Sequence, residues 1–98
     1  LTGKVTGPAI YADITKPDEL IHPVTGINLL NIEVPFWKDC IALVKKAAMR
    51  IPENKSIGWD VAITNTGPIL IEGNHNWNYL VLQMPDKKGH KKTITQYL

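Results

Sequence analysis

Cysteine is almost missing from this chain, with Cys40 standing alone among 98 residues. An internal disulfide is therefore excluded, and a reducing, cytoplasmic compartment is the simpler expectation. Nor does any apolar run approach the roughly 20 residues that span a bilayer, and the first residues lack the basic-then-apolar order of a signal peptide. No membrane partner is expected. Charge of one sign is also scarce: 11 Lys and Arg against 9 Asp and Glu leave a net charge of +2, too mild for a nucleic-acid surface. What remains is ordinary globular usage, 44% hydrophobic and 20% charged, enough for one domain, residues 1–98, with a modest core. The chain opens on Leu1 within a Gly-punctuated stretch, so it reads as a piece of a longer protein.

The most informative stretch is 56–74, SIGWDVAITNTGPILIEGN. Ile57, Trp59, Val61 and Ile63 alternate with Gly58, Asp60, Ala62 and Thr64, the period-two pattern of a half-buried strand, and 69–72 continues it after a turn. Asn65-Thr66-Gly67 reads as a three-residue hairpin loop, with Gly in the left-handed position. That loop pairs Thr64 with Pro68, Ile63 with Ile69, Val61 with Ile71 and Asp60 with Glu72, with Asn74 on the same face as the two acids. Like charges directly opposed cost a fraction of ~1 kcal/mol. A divalent cation between them removes that cost, and two carboxylates with an amide oxygen form a partial hard-cation shell. The alternative is the solvated outer face of an ordinary hairpin.

Elsewhere, 35–51 is the clearest helix, with Pro35 at its start and Pro52 beyond its end. Trp37, Cys40, Ile41, Val44, Ala47, Ala48 and Ile51 form an apolar stripe expected to face Trp59. Cys40 on that stripe reads as a small buried hydrophobe. Residues 1–15 suggest one or two short strands, the better one over 9–14. Lys4 reads as an edge lysine, with a phosphate contact as the alternative. Residues 16–34 read as a long loop with an extended piece over 27–32. A helix is expected from Asn76, and a last strand over 93–98. The basic run from Lys87 to Lys92 reads as a solvated loop, lacking the interleaved aromatics of a nucleic-acid surface.

Three blocks in order, HPVTG at 22–26, VPFW at 34–37 and IGWDVAIT…GPILIEGN at 57–74, resemble the branch of the ATP-grasp family associated with sugar transfer and surface-polysaccharide gene neighbourhoods. The resemblance implies an α+β fold, an antiparallel sheet packed by helices forming the C-terminal half of an ATP-grasp domain. It implies ATP and two Mg2+ ions, with Mn2+ as a substitute. Carried over by motif, Glu72 would bridge both ions, and Asp60 and Asn74 would each complete one shell. His22 and Thr25, in the HPVTG block, would line the substrate site; the alternative is that His22-Pro23 only shapes its loop.

The activity implied is that of an ATP-dependent ligase that phosphorylates a small-molecule carboxylate and couples it to an amine. The glycine-rich, nucleotide-gripping half of such an enzyme has no counterpart in 1–98, so the chain alone is expected to be inactive. Two other readings stand beside it. The domain could be a non-catalytic binding or assembly module, or the acid pair could serve a glycoside hydrolase, whose retaining members hold their carboxylates about 5–5.5 Å apart.

Overall fold

The structure, a computed structural model, describes residues 2–97, with Asn31 described by its backbone. Its elements in order are a 3-10 turn (Leu29–Asn31), helix α1 (Trp37–Ala48), strands β1 (Gly58–Thr64) and β2 (Gly67–Asn74), and two short helices, α2 (Leu80–Gln83) and α3 (Lys91–Thr95). The arrangement is α+β: one antiparallel pair of strands, with α1 packed against β2. Among the described residues, no helix is long and apolar enough to cross a membrane.

Helix α1 follows from its sequence pattern. Cys40, at 6% exposure, is its buried residue, while Lys38, Asp39, Lys45 and Lys46 face water. Asp39 in the first turn and the two lysines in the last both oppose the helix dipole. The helix is shorter than the 35–51 expected. Its N-cap is Phe36, in the left-handed region at φ 54° with no side-chain cap, so Pro35 stands outside. At the other end, Arg50 and Ile51 continue as a tighter turn by donating to Ala47 and Ala48 carbonyls. Trp37 at the first turn lies on Gly3, where a Cβ would come within 2.5 Å of Trp37 Cγ. Gly3 has a φ of +76°, so both contact and backbone call for glycine there.

The hairpin forms with a corrected register. Thr64 pairs with Gly67, Ile63 with Pro68, Ala62 with Ile69 and Val61 with Leu70. The turn is therefore two residues, Asn65-Thr66, where three were expected. Neither has positive φ, whereas Gly67 has φ +134°. Thr64 Oγ1 ties the turn together by donating to the Gly67 carbonyl at 2.7 Å. An irregularity between Asp60 and Val61 then leaves Ile71 as an extra residue on β2, and pairing resumes with Asp60 opposite Glu72, Trp59 opposite Gly73 and Gly58 opposite Asn74. The short turn and the bulge compensate each other, so the acids face each other as expected while the apolar pairs do not.

Several expected elements are replaced. No strand forms over 9–14: Ala9 and Glu19 exchange two backbone bonds as an isolated bridge. The chain then turns, with the Asp13 carboxylate accepting from the Thr15 amide and hydroxyl. These bonds, led by the hydroxyl, hold the Asp13 carboxyl below its ordinary value. The extended piece over 27–32 is instead one bridge, Ile21 to Asn28, and the 3-10 turn, which Asn28 caps through its side chain. Asparagine side chains defer the last helices. Asn74 and Asn78 accept from the amides of Asn76 and Leu80, and α2 begins at Leu80 rather than Asn76. The 93–98 strand is helix α3, Lys91–Thr95; Leu98 lies outside the described residues.

Trp59 lies over Gly73, its pairing partner, where a Cβ would meet Cε3 at 2.8 Å and collide with Cζ3. Gly73→Ala should displace the indole and cost about 1–3 kcal/mol, the usual penalty of overpacking, whereas Gly7→Ala, with open space around its Cβ, should be near neutral. Chemical denaturation of both variants, followed by tryptophan fluorescence, checks the contrast. Equal stabilities would contradict the packing described.

Candidate functional site

The bulge at Ile71 positions the site. Beyond it, Asp60 and Glu72 stand directly opposite each other, both exposed, and Asn74 follows on the Glu72 face. The opposite face carries Trp59, seated on Gly73 and so fixing the register between Glu72 and Asn74. Among the described residues, neither Asp60 nor Glu72 has a hydrogen-bond or ion-pair partner; the cations that pair with acids do so elsewhere, Lys4 with Glu33, Lys87 with Asp18 and His90 with Asp86. Among the described residues, the carboxylates thus face one another with no cation paired to either.

Asn74 is held more firmly than a free surface amide. Its Oδ1 accepts from the Asn76 amide at 2.9 Å, which orients the side chain and leaves one lone pair on that oxygen. The donor set, two carboxylates and one oriented amide oxygen, suits a hard divalent cation that completes its shell with water and ligand oxygens. Among the described residues, no three His, Cys, Asp or Glu side chains gather into a metal cluster, so the acid pair and the amide of Asn74 are the whole protein donor set here. His75 is exposed beside Asn74.

One site-side residue escaped the sequence pattern. A Cβ on Gly58 would come within 2.7 Å of Trp77 Cβ, and alternation along β1 puts Gly58 on the Asp60 face. Trp77 therefore borders the acids. Its Nε1 donates to Ser56 Oγ at 2.9 Å, and its ring meets Tyr79 edge-on, centroids 4.7 Å apart. The available signal was Gly58 two residues before Asp60, a gap that a large side chain fills.

His22 and Thr25 belong to a different segment. The His22 ring turns inward, its Nδ1 accepting from the Val24 and Thr25 amides at 3.3 and 3.2 Å, and the Gly26 amide bonds the His22 carbonyl at 2.9 Å. In the neutral ring the proton is thereby assigned to Nε2. These bonds fold the HPVTG loop on itself, and among the described residues none joins it to the hairpin. Lys4, weighed as a phosphate contact, pairs with Glu33 at 3.0 Å on the surface, a pair of small energetic weight.

The acid pair makes a signed prediction. Without divalent ions, Asp60→Asn removes the cross-strand repulsion and should slow amide exchange in β1 and β2 by up to about fivefold, the equivalent of up to ~1 kcal/mol. Hydrogen exchange measured in chelator checks this; faster exchange in the variant would contradict it.

The family model for sugar-transfer associated ATP-grasp proteins matches residues 1–97, extending to nearly the whole chain the likeness that the motifs carry over 22–74. No curated protein and no solved structure matches the chain. With its α+β hairpin and its helix α1 in place, the chain belongs to the sugar-transfer associated ATP-grasp family.

Proposed function

We propose that this chain is the cation-holding, C-terminal part of an ATP-grasp ligase, a single domain over residues 1–98 that acts in the cytoplasm on ATP, a small-molecule carboxylate and an amine. The observation that carries this reading is the placement of Asp60 opposite Glu72 with no counter-cation from the described residues. Glu72, Asp60 and Asn74 would hold Mg2+, with two ions expected when ATP is present and Mn2+ able to replace them. Bound there, the ions would neutralise phosphate oxygens as charge moves during phosphoryl transfer. The chain's own part is to keep two carboxylates and an oriented amide in register on a twisted strand pair.

In the ligase reaction, a carboxylate oxygen takes the γ-phosphoryl group from ATP, ADP leaves, and the amine then displaces phosphate from the acyl carbon. Family membership supports this reaction class, and the sugar-transfer association supports a role in cell-surface polysaccharide synthesis. His22 and Thr25 are proposed to border the substrate through the outer edge of their loop. The isolated chain is proposed to be inactive. Its surface supports that view. At 8018 Å², it exceeds the roughly 5,600 Å² typical of a folded monomer of 10.9 kDa, so much apolar area is left for other structure to cover.

Titration of the chain with Mn2+, read by paramagnetic broadening of amide signals, tests the site. At substoichiometric metal, the signals of Asp60, Glu72 and Asn74 should vanish first. In Asp60→Asn and Glu72→Gln, at least about ten times more Mn2+ should be needed, as expected when one carboxylate of a small shell is removed. Broadening centred elsewhere, or unchanged in both variants, would sink the assignment.

A further inference from the structure

Away from the hairpin, the loop closed by the Ala9–Glu19 bridge and the chain from α2 into the basic tail line a cavity of about 480 Å³. A second, of about 340 Å³, adjoins it and shares Ile10, Tyr11, Leu80 and Met84 as walls. None of the residues lining either belongs to β1 or β2. The space falls within the roughly 300–1,000 Å³ of small-molecule sites.

The lining mixes two chemistries. Ile10, Leu80 and Met84 supply apolar surface. Lys16, Lys87 and Lys88 line the same space with a single acid, Asp18. Asp18 is already engaged, accepting from Lys87 Nζ at 3.2 Å. Neither Lys16 nor Lys88 is within ion-pair distance of a carboxylate among the described residues; Lys16 instead lies 5.0 Å from the Tyr11 ring centroid. Tyr11 is fixed in turn, its hydroxyl donating to Glu19 Oε1 at 2.6 Å. Two cations are thereby left over beside the apolar lining, one of them lying over a tyrosine ring that is itself hydrogen-bonded.

We infer that this cavity binds a small amphiphilic anion, with a carboxylate or phosphate head between Lys16 and Lys88 and an apolar body against Ile10, Leu80 and Met84. The apolar walls gain by covering, and the ammonium groups gain charge-assisted hydrogen bonds to the head. Lysine offers rotatable donors rather than a planar fork, which suits either head. The inference is independent of the proposed cation site, since it uses no residue of the hairpin.

The test is a chemical-shift titration of the whole chain, without metal or nucleotide, using decanoate, decyl phosphate, decanol and inorganic phosphate as probes. Decanoate or decyl phosphate should bind at least about tenfold tighter than both decanol and inorganic phosphate, with shifts centred on Tyr11, Leu80 and Met84. Whichever of the two binds tighter identifies the head group. The double variant Lys16→Gln, Lys88→Gln, at two exposed positions, should weaken that binding about tenfold while leaving the remaining spectrum in place. Equal binding of decanol, equal binding of inorganic phosphate, shifts centred elsewhere, or an unchanged double variant would each overturn the inference. So would concentration-dependent shifts of the cavity residues without any probe, which would show a second copy of the chain filling the space.

Discussion

The bulge at Ile71 is the constraint on which the described site depends. The turn brings Thr64 and Gly67 together and starts a register that, continued without interruption, would set Asp60 across from Ile71. One unpaired residue restores the acid pair. On the turn side of the bulge, the two-residue turn has already set Leu70 opposite Val61, and Ile69 and Ile71 are left exposed at 53% and 64%. Trp59 on Gly73 holds the hairpin beyond the bulge, and Trp77 on Gly58 buttresses it from the other side. Bulges bend strands and re-aim side chains, and here the re-aimed side chains are the two carboxylates.

The remainder of the chain supports this hairpin with very little interior. Cys40 is the only buried hydrophobic residue among those described, and no large side chain is fully buried. The Cα radius of gyration, 15.2 Å, exceeds the roughly 13 Å of a compact chain of this length. Helix α1 supplies the nearest thing to a core by laying its stripe against β2. Residues 2–34 are tied by isolated backbone bridges, Lys4 to Glu33, Ala9 to Glu19 and Ile21 to Asn28, which satisfy polar groups without building a layer.

Where a periodic pattern ran for several turns or pairs, the fold was legible in the sequence. The stripe from Trp37 to Ala48 formed, the strand over Gly58–Thr64 formed although its burial does not alternate as expected, with Ile63 exposed and Ala62 half-buried, and the opposition of Asp60 and Glu72 was legible in the sequence. The turn length and the bulge could not, because their errors cancel at Asp60 and nothing in the alternation distinguishes the two routes. Residues 9–14 alternate like a strand yet lack a partner of matching length, so local Asp13–Thr15 bonding takes over. Asn74 and Asn78 postponed α2 for the same reason: short polar side chains compete with the helix for its first amides. Trp77 could be found only through the absence of a side chain at Gly58.

The Lys87–Asp18 pair joins positions 69 residues apart. Closing a flexible loop of that length costs up to about 4 kcal/mol of chain entropy, whereas an exposed ion pair returns at most about 1 kcal/mol and less as salt rises. The loop at Asp18 and the tail at Lys87 are therefore joined by a clasp too weak to hold them alone. Ile10, Leu80 and Met84 line the cavity beside this pair, and the pair itself weakens as ionic strength rises.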